Sequence, residues 1–166
     1  MIRIMYHTQE KWKYYLTGPI ISNREDAWLG DAYYFWKEEV DAIHWGHKSK
    51  WKTGNFEVYK ADVDFENVLD TVFNEEHYDF WKAQIEKAAK HIIKKTGQKA
   101  TLYEINQYFK DKAKWSDKTD GILFQDLPYS DDLLVFNFNY RKRIQIAVYN
   151  LKIINNFALH FEMGCN

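Results

Sequence analysis

Three short stretches place polar and aromatic side chains where they could act on one ligand. They are Tyr6-His7-Thr8 at the close of the alternating segment "IRIMYHT", "LGDAYYFW" at residues 29–36, and "RIQIAVYN" at residues 143–150. A histidine that ends a strand carries two ring nitrogens that hold a hydroxyl or move a proton near neutral pH. After the turn at Gly30, Tyr33 and Tyr34 face opposite sides of a strand, so only one of the two rings can line a cleft. Arg24, in the loop "ISNRED", offers a planar fork that suits phosphate oxygens. The ordinary uses of these residues stand beside the chemical ones: strand aromatics pack cores, and loop arginines sit in solvent.

Other candidate chemistry is thin. The sequence holds no GxGxxG, GxxxxGK[ST], HExxH, CxxC or GxSxG pattern. His44 and His47 share a helical face, but no further ligand at a matching spacing completes a metal site. The acid pairs Glu38/Glu39 and Glu75/Glu76 fall at helix starts, where they complement the helix dipole. Arg141, Lys142 and Arg143 form a basic run that could draw in a cofactor or a polyanion such as RNA. The single cysteine, Cys165, has no partner for an internal disulfide and suits a reducing compartment.

The elements that must position these residues read as α+β. "IRIMYH" alternates Ile2, Ile4 and Tyr6 against Arg3 and Met5 as a strand does, and "EKWKYYLTG" predicts a short helix ending at Gly18. "AYYFW" predicts a strand, followed by a helix with Val40, Ile43 and His44 on one stripe, and "NFEVYKADV" alternates as a strand. Residues 74–97 show helical periodicity through Phe80, Trp81, Ile85, Ala88, Ile92 and Ile93, with acids first, lysines last and Gly97 as the stop. Thr101 and Glu104 form a capping-box pattern that opens another helix. From Gly121 onward "GILF", "DLLVFNF", "RIQIAVYN" and "FALHFEM" predict strands. A mostly antiparallel sheet in one domain spanning residues 1–166 is expected, since the length suits one core and no linker-like tract interrupts it.

The order of "YHT", "LGDAYYFW" with "DAIHW" behind it, and "RIQIAVYN" resembles the ADP-ribosyltransferase superfamily, in the branch of diphtheria toxin and the poly(ADP-ribose) polymerases. "ADVDFENVLD" and "TDGILFQDLP" also look like small bacterial or phage-type members, so the resemblance covers most of the chain. It implies split, mostly antiparallel sheets with flanking helices around a cleft for NAD. His7 would hold a ribose hydroxyl while backbone groups nearby, at Thr8, grip the carboxamide. Tyr34 would stack on the nicotinamide ring, Gly30 would make the turn before it, Trp45 would be the second aromatic, and Arg24 would meet the phosphates.

Where active relatives carry a glutamate in the late strand, this chain has Gln145. A glutamine keeps a hydrogen bond but supplies no charge to the oxocarbenium ion that forms as the glycosidic bond breaks. A unit charge about 4 Å away is worth on the order of 4 kcal/mol at an effective dielectric of 20, roughly a thousandfold in rate. Glu57 and Glu162 are strand-borne acids elsewhere, each expected as an exposed alternating residue. The activity implied is NAD-dependent mono-ADP-ribosyl transfer, toxin- or effector-like, to a protein or nucleic-acid acceptor, in a setting that allows an antitoxin or immunity partner. A noncatalytic module that binds nucleotide, ADP-ribose or RNA on the same fold, and an NAD glycohydrolase, are the alternatives.

Composition frames these readings. With 23 basic and 24 acidic side chains the net charge is −1, so any polyanion must be met by a local patch rather than by the field of the whole molecule. No window approaches the roughly 20 apolar residues that span a bilayer, and the opening residues lack an apolar signal core. A soluble, cytoplasmic protein without a membrane partner is the expectation.

Overall fold

The computed structural model describes residues 1–127 and 133–166. Seven strands form one mixed sheet: β1 (Ile2–Glu10), β2 (Tyr33–Trp36), β3 (Asn55–Asp64), β4 (Val68–Asp70), β5 (Gly121–Asp126), β6 (Arg143–Val148) and β7 (Ile154–Gly164). Their order is β4-β5-β6-β2-β1-β3-β7, antiparallel throughout except for β4 beside β5. The α+β class and the antiparallel bias agree with the sequence. Separate split sheets do not form, because β1 and β2 remain joined, by the single pair Tyr6↔Trp36.

That joint is where the sheet folds over. In a flat sheet, β7 would lie three strand spacings from β2, roughly 14 Å away. Yet the Phe157 ring of β7 meets the Phe35 ring of β2 with centroids 6.5 Å apart. The halves β1-β3-β7 and β4-β5-β6-β2 therefore face each other, and Met5, Ala61 and Val63 from one pack with Phe35, Leu123, Ile144, Ile146 and Val148 from the other. The apolar face of β1 is consequently carried by Met5, which is fully buried, while Ile2 and Ile4 are 64% and 52% exposed. This reverses the face expected from the alternation, because hydrophobicity alone does not say which side of a strand meets the opposing sheet.

Three helices cover the outer faces: α1 (Glu39–Ser49), α2 (Glu75–Thr96) and α3 (Leu102–Tyr108). In α2 the Asn74 side chain accepts from the His77 amide at 3.1 Å, and Gly97 at φ 74° closes the last turn onto the Ile93 carbonyl. Its buried side is formed by Trp81, Ile85, Ala88 and Ile92, with Phe80 and Ile93 largely exposed. At α3 the capping box forms as the sequence requires: the Glu104 amide donates to Thr101 Oγ1 and the Thr101 amide donates to Glu104 Oε2. A wider, π-type turn at Phe109–Ala113 then ends the helix at Lys114, whose φ is 51°.

In α1 the buried residues are Asp41, Ala42 and Gly46, and Val40 is 46% exposed. The stripe of Val40, Ile43 and His44 is therefore not the docking face. Small residues at i and i+4 let the helix settle close to the sheet, where Thr8 Oγ1 donates to the Ala42 carbonyl at 2.8 Å. Two further expectations fail. No helix forms over "EKWKYYLTG": the Lys11 amide donates to the Asn55 carbonyl and the Leu16 amide to the Tyr59 hydroxyl, so the sheet takes the hydrogen bonds a helix would need. In "DLLVFNF", residues 133–138 are not a strand, and Asp132 lies outside the described residues, as does Pro128. No helix among the described residues is long and apolar enough to cross a membrane.

The closeness of α1 to β3 is directly testable. A Cβ on Gly46 would fall 2.3 Å from Phe56 ring carbons. Gly46→Ala is expected to destabilise the fold by about 1–3 kcal/mol despite the better helix propensity of alanine, read as a lower urea midpoint.

Candidate functional site

Where β1 and β2 splay apart beyond their single pair, a cavity of about 840 Å³ opens. Six of the seven candidate residues line it: His7 and Thr8 from β1, Arg24 from the following loop, Tyr34 from β2, Trp45 from α1 and Gln145 from β6. Gly30 does not. It makes the expected turn, at φ 75°, but lines a separate cavity of about 530 Å³ beside Asn106. Its carbonyl serves the cleft indirectly, accepting from the Tyr34 hydroxyl at 2.7 Å.

His7 is held at both nitrogens. Nδ1 lies 2.9 Å from the Tyr34 carbonyl and Nε2 accepts from the Ile20 amide at 3.3 Å. A ring that donates on one side and accepts on the other is neutral. Burial, helped by the nearby Lys50 ammonium and opposed by the bond to Tyr34, lowers its pKa to about 4. Both bonds go to backbone, so His7 bridges the splayed strands and pins the loop that crosses the cleft mouth. A ligand hydroxyl reaches Nε2 only by displacing the longer bond to Ile20.

The Tyr34 ring is half-buried, edge-on to Phe124, and its hydroxyl also accepts from the Leu29 amide at 3.1 Å. Burial pushes the phenol well above its usual value, leaving it protonated. Tyr33 turns to the opposite side and packs on the core between the sheet halves, as strand parity requires. Phe35 and Trp36 are buried core residues. Trp45 leans on Trp36 with centroids 6.1 Å apart, and the Arg24 guanidinium sits 5.7 Å from its ring centre. Arg24 also pairs with Asp26 at 3.0 Å.

Gln145 is not alone in its position. Its Nε2 donates to Asp126 Oδ2 at 2.7 Å, and Arg143 pairs with the same oxygen at 2.9 Å, all three side chains being buried. A carboxylate only accepts, so it fixes the amide with nitrogen toward Asp126 and leaves Oε1 as the free acceptor. Arg143 neutralises the acid and lies 4.5 Å from the centre of the Trp36 ring. Asp126 escaped the sequence reading because its partners come from register: Asp126 faces Arg143 across β5 and β6, a pairing that no spacing in the chain announces. Lys50 and Lys52 were also missed. They line the cleft mouth with Arg24, and burial followed by the charge of Arg24 holds Lys50 below the usual lysine value.

The remaining candidates lie elsewhere. Glu57 is buried rather than exposed and accepts from the Tyr59 hydroxyl at 2.9 Å, while Glu162 pairs with Lys11 at 2.6 Å; neither lines the cleft. Arg141 is spent on Asp41 at 2.9 Å. No group of three or more metal-binding side chains exists among the described residues, and His47 accepts from the Asn166 amide. Cys165 donates to the Lys50 carbonyl, and burial raises its thiol pKa. Comparison of the chain with protein-family models, with curated proteins and with solved structures finds no match.

Two measurements follow from this geometry. Well above pH 7 His7 is neutral in both folded and unfolded chains and adds no pH dependence. As pH falls through 6.5 the unfolded chain takes a proton that the fold refuses, so stability drops until about pH 4, by about 3 kcal/mol in all. His7→Gln is expected to flatten that slope in urea midpoints measured across this window. At the other wall, Gln145→Glu sets a second carboxylate against Asp126 and is expected to cost about 1–3 kcal/mol. The paired exchange Gln145→Glu with Asp126→Asn restores one acid and one amide, and should recover most of that loss.

Proposed function

We propose that the cleft binds NAD and that the protein is an NAD-dependent mono-ADP-ribosyltransferase of toxin or effector type. The observation that supports it most is the meeting of His7, Thr8, Arg24, Tyr34, Trp45 and Gln145, which are scattered from the first strand to the sixth, in one cavity. Tyr34 and Trp45 offer rings for the nicotinamide, and Arg24, Lys50 and Lys52 offer cations for the two phosphates.

In the reaction the bond from ribose C1′ to the nicotinamide ring nitrogen breaks and nicotinamide leaves with the bonding electrons. A lone pair on the acceptor then bonds C1′, and the acceptor's proton passes to solvent. Gln145 Oε1, held by Asp126, accepts a ribose hydroxyl and turns the negative end of the amide dipole toward the developing positive charge. His7 acts as a neutral positioning residue that keeps β1, Tyr34 and the Ile20 loop in place. With water as acceptor the same steps release free ADP-ribose. The engagement of both His7 nitrogens and the neutralisation of Asp126 by Arg143 favour a second reading, a binding module that holds the nucleotide without cleaving it.

Release of free nicotinamide from NAD separates the two. Transfer requires release by the wild type, a loss of about a hundredfold in Tyr34→Ala and Gln145→Ala through misplacement of the ring and ribose, and near-normal release by Tyr34→Phe, which keeps the ring. Saturable NAD binding by calorimetry without release would favour the module, and release untouched by both alanine variants would remove the cleft as the site.

A further inference from the structure

The motif Lys-Trp-Lys occurs twice, at Lys11-Trp12-Lys13 and at Lys50-Trp51-Lys52. Around these, "KWKYY" and "KSKWK" hold five lysines and four large rings and no acid, in a chain whose net charge is −1. The structure brings the two together. The buried Glu10 carboxylate accepts from the Lys52 amide at 3.0 Å and from the Thr53 amide and hydroxyl at 3.3 and 2.9 Å, while the next residue, Lys11, donates its amide to Asn55 at 3.0 Å. One side chain thus fastens both turns side by side.

The rings on these turns are not core. Trp12 is 51% exposed, Tyr14 74%, Tyr15 60% and Trp51 66%. No ion pair among the described residues engages Lys13, Lys50 or Lys52, whereas Lys11 is paired with Glu162. The patch also continues inward: Lys48, Lys50 and Lys52 line the cleft, and the chain beyond Tyr15 returns over it at Ile20 and Ile21. Exposed flat rings interleaved with lysines are the surface that suits stacked bases on a phosphate chain. A bilayer also attracts tryptophan and lysine, but it cannot follow lysines into a concave cleft, whereas a flexible strand can.

We propose that this surface binds single-stranded nucleic acid, stacking bases on Trp12 and Trp51 and leading the backbone along Lys50 and Lys52 into the cleft. Resting on the reading of the cleft given above, the strand so held is the ADP-ribose acceptor.

The test is fluorescence anisotropy of labelled oligothymidine and oligouridine of about 20 nucleotides, without NAD, beside the matching duplex and vesicles containing phosphatidylserine. Single strands are expected to bind more tightly than duplex, with affinity falling as salt rises by a log–log slope of about −0.7 per phosphate contacted, a slope that Lys50→Ala with Lys52→Ala reduces. Trp12→Ala and Trp51→Ala should each weaken binding about fivefold to a hundredfold, and Trp→Phe at either site should restore much of it. Thymidine against uridine tells whether the strand is DNA or RNA. Binding of vesicles but not of oligonucleotides, or binding indifferent to both tryptophans, would overturn the surface. A second arm follows label from NAD into the bound strand: strand binding without transfer removes the acceptor assignment and leaves the surface, and nicotinamide release without strand binding removes the surface and leaves the cleft.

Discussion

A sheet that must fold back on itself has to give up hydrogen bonds somewhere, and here it does so between β1 and β2. The His7 ring carries the connection that the ladder has lost, reaching the Tyr34 carbonyl on one side and the Ile20 amide on the other. Because one partner is a carbonyl and the other an amide N–H, the ring must donate on one side and accept on the other and so stays neutral, and the apolar surroundings set by Phe35 and Phe157 keep it so. The cleft exists because of this arrangement. Its floor is the gap between the strands, and the same ring and Thr8 tether the loop and the helix on one of its sides.

The two walls are built on different physics. On the β5-β6 side, charge is buried and cancelled locally, with Asp126 and Arg143 paired beneath Gln145. That pair orients an amide and contributes little field of its own. On the α1 side, Arg24, Lys50 and Lys52 gather at the mouth, and burial, followed by the charge of Arg24, holds the Lys50 ammonium below its usual pKa. The cleft thus presents cations from one side and an oriented amide from the other.

Sequence patterns revealed what local periodicity controls. The caps of α2 and α3, the strand at "YYFW" and the opposed faces of Tyr33 and Tyr34 follow from spacing alone. They did not reveal what depends on distant partners. The buried face of β1 was misread because Met5 meets the opposing half of the sheet. The helix expected at "EKWKYYLTG" lost its backbone hydrogen bonds to Asn55 and Tyr59. At the cleft, residues whose types are rare or reactive could be named, whereas Asp126 and Lys50 are common residues given their place only by register and by the fold of the loop after α1.

The triad of Asp126, Arg143 and Gln145 has a consequence for descent. Positions 143 and 145 sit on one strand and position 126 on its neighbour, so the three are expected to change as a unit of charge and shape rather than as separate letters. A change from glutamine to glutamate at 145 while 126 remains an aspartate costs stability that a neutral residue at 126 would return. Among descendants of this chain, an acidic 145 should be accompanied by a neutral 126, and the identity of one residue can be read from the other.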